Sequence, residues 1–225
     1  MRRALLVTLL VASALAAAPA AAERPPDFSL LRVDLEDGFA LHPWLYHEFR
    51  ISEHWGILVD AHAQAPGLNS RFPPYLEVDV GPVLHVGPLQ INPQIGTTVT
   101  WRSKVDAATG RDEGHSRGGE LLLQLYLILN WKRLAAESWN LYYIPFDGDE
   151  PQFFQLRDLV TVRVAWGLAL GPHFEATFIR GVGADRLAVG GDLSYTFRWG
   201  QLVLFLASER ERGVLETRLT FLREL

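Results

Sequence analysis

The sequence predicts an all-β protein: a single antiparallel transmembrane β-barrel of about twelve strands, with ten as the other possible count. Three observations carry this. Apolar and polar residues alternate with period two through nearly all of the chain after residue 22, the spacing of strands with two unlike faces. The connections between alternating runs are short and long by turns, the rhythm of an up-and-down barrel with turns on one rim and loops on the other. Tryptophans sit toward the ends of runs and on their apolar side, where amphipathic rings meet a bilayer interface.

Composition narrows the alternatives. Of 225 residues, 48% are hydrophobic, 11% aromatic and 21% charged, which excludes a disordered or collagen-like chain. There is no cysteine, so disulfide scaffolds and thiolate metal sites are excluded. Met1-Arg2-Arg3, the apolar stretch Ala4 to Leu15 and the small residues Ala20-Ala21-Ala22 have the layout of an export signal. The expected organisation is a signal peptide over 1–22 and one barrel over 23–225. Removing Arg2 and Arg3 leaves 19 Lys and Arg against 26 Asp and Glu, a net charge of −7, so no nucleic-acid partner is expected. No later segment reaches the ~18 apolar residues of a membrane helix; the best, Leu121 to Leu129, is broken by Gln124.

Taken in order, the first run is 28–35, which turns at Glu36-Asp37-Gly38 into 39–51. In 54–64, Trp55, Ile57, Val59, Ala61 and Ala63 oppose His54, Asp60, His62 and Gln64. The run 74–86 leads through Gly87-Pro88 into 88–101, where Leu89, Ile91, Pro93, Ile95, Thr97, Val99 and Trp101 face away from Gln90, Asn92, Gln94, Thr98 and Thr100. Arg102 to Gly118 reads as the longest loop, charged and glycine-rich. Runs 119–131 and 136–146 follow, joined by Lys132 to Ala135. Residues 157–170 set Val160, Val162, Val164, Trp166, Leu168 and Leu170 against Thr161 and Arg163, with a turn expected at Gly171-Pro172 before 172–180. In 186–199, Leu187, Val189, Leu193, Tyr195, Phe197 and Trp199 oppose Asp192, Ser194, Thr196 and Arg198. The last runs are 201–209, apolar on both faces, and 213–222. An even strand count puts both termini on the short-turn rim.

Alternation alone fits a soluble barrel with a greasy core as well as a membrane barrel with a greasy exterior. The polar face is charged, which would suit a solvated outer surface, yet that surface would favour lysine and the chain has only Lys104 and Lys132. Run lengths of nine to eleven residues match a tilted crossing of the hydrocarbon layer, against five or six in soluble strands. Pro43, Pro82, Pro93 and Pro145 lie inside runs and argue the other way, because a closed sheet has no free edge for a residue lacking N–H. The balance favours the membrane barrel. The residues expected to line its lumen are Arg50, Asp60, His62, Glu77, Asp79, Arg163, Glu175, Asp192 and Arg198. Trp55, Trp101, Trp131, Trp139, Trp166 and Trp199 form the expected interface girdle, and Trp44 alone breaks the rule.

On this pattern, with Leu215, Thr217, Leu219 and Phe221 alternating in the final run, the mature chain resembles bacterial outer-membrane β-barrel proteins of the ten-to-twelve-strand kind. It departs from them in continuing through Leu222-Arg223-Glu224 to Leu225 instead of ending on an aromatic residue. The resemblance implies the outer membrane of a Gram-negative bacterium, with outer-membrane lipid and the barrel-assembly machinery as partners. It supplies no active-site residues.

The expected function is a narrow channel for small polar solutes, formed by a monomer without cofactor or metal. One alternative is an outer-membrane hydrolase or acyltransferase, for which Asp60 with His62, or His173 with Glu175, could orient a base; a serine near His62 or His173 would distinguish it. His115-Ser116 reads as loop and would not hold catalytic geometry. The other alternative is a soluble periplasmic lipocalin-like barrel with an apolar ligand. Asp147-Gly148-Asp149-Glu150 lacks the ligand spacing of a calcium loop, and His54 to His62 is too loose for zinc.

Overall fold

The computed structural model describes residues 26–36, 40–65, 74–105, 112–146, 151–210 and 213–225. The expected signal peptide and the acidic turn Asp147 to Glu150 lie outside them. Twelve strands form one sheet: β1 (Phe28–Glu36), β2 (Ala40–Arg50), β3 (Trp55–Gln64), β4 (Tyr75–Val86), β5 (Leu89–Val105), β6 (Asp112–Trp131), β7 (Leu134–Pro145), β8 (Phe153–Ala165), β9 (Leu168–Ile179), β10 (Gly183–Phe197), β11 (Gly200–Glu209) and β12 (Val214–Glu224). Each pairs antiparallel with its sequence neighbours, and β1 closes the barrel on β12 from Leu30↔Glu224 to Glu36↔Arg218. All strands have nine residues or more, enough for a tilted membrane crossing.

Burial decides which face is greasy. Val78, Val80, Val162 and Leu193 are each more than 40% exposed, whereas Glu77 and Asp79 are fully buried. Aliphatic rows therefore lie on the circumference and charged rows inside, the reverse of a soluble barrel. The chain is a transmembrane β-barrel, and the lipocalin-like alternative is overturned.

Where alternation and structure part company, the cause is local. The turn expected at Gly171-Pro172 lies at Trp166-Gly167, and both of those earlier residues belong to β9. Trp166 (φ 46°) and Gly167 (φ 81°) both have positive φ, as in the primed turns that match the right-handed strand twist. A two-residue turn preserves period two, so Val160, Val162, Val164, Leu168 and Leu170 read as one uninterrupted run. The expected long loop from Arg102 to Gly118 is instead mostly ladder among the described residues: β5 runs into it to Val105 and β6 starts within it at Asp112, with Arg102↔Ser116 and Ser103↔His115 paired. His115 and Ser116 are thus strand residues. The interior prolines interrupt pairing locally. Gly81, Pro82 and Val83 of β4 have no register partners on β5 between Val80↔Ile95 and Leu84↔Ile91, and a Cβ on Gly81 would meet the Pro93 carbonyl oxygen at 2.0 Å.

The lipid face carries a charged residue well inside one strand. Asp158, near the middle of β8, shares its face with Val160 and Val162 and lies opposite Ser138 of β7. Asn140 sits beside it on β7 and donates to Ser138 Oγ at 3.0 Å. A charged side chain on this face is destabilising, acidic ones less than basic. Asp158→Leu should therefore raise unfolding free energy by roughly 1 kcal/mol in urea titrations of vesicle-embedded protein. An unchanged or lowered value would mean that Asp158 is not in contact with acyl chains.

Candidate functional site: a charged lumen crossed by aromatic side chains

The inward residues of β3 to β6 form an acidic wall. Register sets Asp60 opposite Asp79 and His62 opposite Glu77, and all four are buried. His62 Nε2 contacts Glu77 and lies 3.8 Å from Asp79 Oδ2. Amide side chains support the wall: Gln94 Nε2 donates to Asp60 Oδ2 at 2.6 Å, and Gln124 Nε2 to Glu77 Oε1 at 3.1 Å. Thr98 Oγ1 donates to Glu120 Oε2 at 2.5 Å.

The facing wall, on β8 to β12 and β1, is built on guanidinium groups. Glu175 is its hub, with Arg157 Nε at 2.9 Å, Arg218 at 2.6 Å, Arg186 at 2.8 Å and His173 Nε2 at 3.0 Å. Arg186 also pairs with Glu216, His173 Nδ1 with Asp192 at 2.8 Å, and Arg32 with Asp34 at 2.8 Å. Such pairs offset their desolvation only because several short, charge-assisted bonds act together. An apolar patch inside, Ala188, Phe205 and Ala207, accounts for the two-faced greasiness of β11. Arg218 lies over the Phe205 ring at 4.6 Å.

Aromatic side chains join the two walls. Trp44 stacks on His62 at 4.0 Å between ring centroids and meets Trp139 edge-on at 6.0 Å. β2 and β7, which carry these tryptophans, are five places apart in a ring of twelve, so their contact spans the lumen. Tyr126, stacked on Trp139 at 5.9 Å, shares a hydrogen bond with Tyr46 across the same gap. Arg32 caps Trp44 at 5.1 Å and Arg157 caps Trp139 at 5.2 Å, cation–π contacts strengthened by desolvation.

On the short-turn side of this crossing the lumen widens to a cavity of about 430 Å³. Arg32, Lys132, Arg133, Arg157, Arg163 and Arg218 line it, against Glu137 and Asp192. The mouth is strongly cationic.

Asp60, His62, Glu77, Asp79, Glu175 and Asp192, all named from the sequence, are buried on the inner face. Arg50 is half-buried at the end of β2, 3.4 Å from Glu48, and Arg163 borders the cavity while exposed at its mouth. Arg198 is a correction: β10 ends at Phe197, and Arg198 is exposed in the following turn. Trp139 is the other. Its Nε1 donates to the buried Gln124 at 2.8 Å, so it points inward. In β7 the odd, apolar set Trp139, Leu141 and Tyr143 pairs with the inward Tyr126, Gln124 and Leu122, leaving Ser138 and Asn140 toward lipid. Trp101 and Trp131 are exposed on the outer face near strand ends, Trp55 begins β3, and Trp166 and Trp199 lie in turns. Arg32, Asp34, Arg157 and Arg186 escaped the sequence reading, although their parity was available: Arg32 and Asp34 alternate with Leu31, Val33 and Leu35, and Arg157 shares the phase of Arg163. Among the described residues no serine hydrogen-bonds His62 or His173, whose partners are carboxylates.

No family model and no curated protein matches the chain. Solved structures do. The COG4313 outer membrane channel from Pseudomonas putida F1 superposes with a TM-score of 0.59 at 13% identity, covering 92% of this chain and 99% of that one. The KdgM porin gives 0.51 at 12%, covering 88% and 98%. The translocator domain of the autotransporter NalP from Neisseria meningitidis gives 0.51 at 8%, covering 99% and 95%. At such identities the likeness is one of fold: a closed twelve-strand antiparallel barrel of the bacterial outer-membrane type.

Proposed function

We propose that this chain is a narrow channel for small polar solutes in the outer membrane of a Gram-negative bacterium, and that it favours anions. The observation carrying the reading is the lumen itself, charged on facing walls and open toward the short turns through a cavity of about 430 Å³ with a cationic lining. Rings of fixed charge at a constriction select permeant ions by sign, and a low-dielectric wall focuses that field. The names of the neighbours, a porin and an outer membrane channel, point the same way. In this reading lipid covers the aliphatic belt, Trp55, Trp101, Trp131, Trp166 and Trp199 mark its edges, and the assembly machinery reads β12; one chain suffices for a pore.

Purified barrel in planar bilayers should give discrete current steps, and a salt gradient should give a reversal potential of anionic sign. Arg133→Glu with Arg163→Glu, at the mouth of the cavity, should move that potential toward cation preference. Repeated insertions without current steps reject the channel. An unaltered potential in the double variant rejects the role of the mouth.

A further inference from the structure

We propose that Asp60, His62 and Asp79 form a binding site for one divalent transition-metal ion of the zinc class within the barrel wall. One ligand atom from each of the three lies within 4.8 Å of the others, and all three residues are buried. Strand geometry accounts for the assembly. Residues two apart on β3 put Asp60 and His62 on one face, and the β3–β4 register sets Asp79 directly opposite Asp60.

The donors are left waiting. Both Asp79 carboxylate oxygens and His62 Nδ1 are buried without a hydrogen-bond partner among the described residues, and so is Glu77 Oε2. Native interiors leave few such atoms, and each calls for a specific cause. No guanidinium or ammonium group pairs with Asp60, Glu77 or Asp79 among the described residues, although arginines crowd the opposite wall. Three carboxyl groups packed around one imidazole out of water must share protons or be joined by a cation, because bare negative charge there is costly. A bound divalent ion removes that cost.

The surroundings are those of a supported metal site. Gln94 holds Asp60 by a 2.6 Å hydrogen bond, Trp44 fixes the plane of His62 by stacking at 4.0 Å, and Glu77 contacts His62 Nε2. Partners of this kind orient ligands and tune their basicity. Space is provided too: a Cβ on Gly96 would stand 1.7 Å from Asp79 Oδ1, so only glycine there leaves Asp79 its position. One imidazole nitrogen with carboxylate oxygens suits zinc and its neighbours better than calcium or magnesium, which take oxygen alone.

The test uses the full barrel folded in detergent, stripped by a chelator and titrated with Zn²⁺ alone. Wild type should retain a single zinc through gel filtration. Asp60→Asn with Asp79→Asn, nearly isosteric, should bind roughly 100-fold more weakly or worse, with folding followed by circular dichroism. X-ray absorption on the loaded wild type should show one imidazole nitrogen among oxygen donors, and that measurement decides the matter should the double variant fail to fold. No retained zinc, equal affinity in a folded double variant, or two or more imidazoles around the ion would each overturn the site. Channel activity enters none of these readouts, so the site stands or falls apart from the pore.

Discussion

Trp44→Ala combined with Trp139→Ala should raise single-channel conductance several-fold, the largest functional change expected from any pair of substitutions in this barrel. The two indoles come from strands on nearly opposite sides of the lumen and meet at 6.0 Å, so removing both takes away the bridge while leaving the facing walls in place. Single substitutions should do less, because Tyr46 and Tyr126 cross the same gap. Loss of a buried indole (Trp44) and a half-buried one (Trp139) also costs stability, about 3–5 kcal/mol each for Trp→Ala in a packed core and less where water refills the space. Folding therefore has to be verified by circular dichroism before current is compared. Equal conductance in wild type and a folded double variant would show that solutes pass elsewhere or that the indoles already part during conduction.

The tryptophan crossing also shows where reading the sequence stops. Period two was sufficient for the twelve strands, because lipid outside and charge inside impose unlike chemistry on the two faces of nearly every strand. It failed where that contrast weakens. In β7 most of the inward set is apolar: Trp139 crosses the lumen to Trp44, and Leu141 is fully buried. Phase assigned by greasiness then comes out inverted. The turn at Trp166-Gly167 failed differently, because a two-residue reversal leaves the period intact.

The functional residues divide along the same line. Asp60 with His62, and His173 with Glu175, are two apart on one strand, so their company follows from parity alone. Asp79 joins the first pair only through the β3–β4 register. Arg218 reaches Glu175 from three strands away. Register depends on turn geometry and on prolines and bulges along each ladder, and lumen-spanning contacts depend further on the stagger of the closed barrel. Neither is written in the periodicity of a single strand.

Glu175→Ala should be the most destabilising single substitution in the lumen. Its carboxylate holds Arg157, Arg186 and Arg218 together, and the Arg218 and Arg157 side chains are only 7% and 13% exposed. Deleting one partner of a buried charge network leaves the others desolvated without compensation, typically at a cost of about 3–5 kcal/mol. The remaining acids replace it only in part: Glu216 holds Arg186, and Asp34, which lies near Arg218 and Arg157, is already engaged by Arg32 and Thr220. Urea unfolding in vesicles should therefore show a loss of that order, and adding Arg218→Ala should recover part of it, because the second deletion removes one of the stranded charges. The sign of that coupling separates two pictures of the lumen. Recovery means a dry wall in which acid and guanidinium stabilise each other. Strict additivity, with a loss under about 1 kcal/mol, means water already reaches the arginines, and the positive wall is then solvated well enough for a passing anion to exchange with that water.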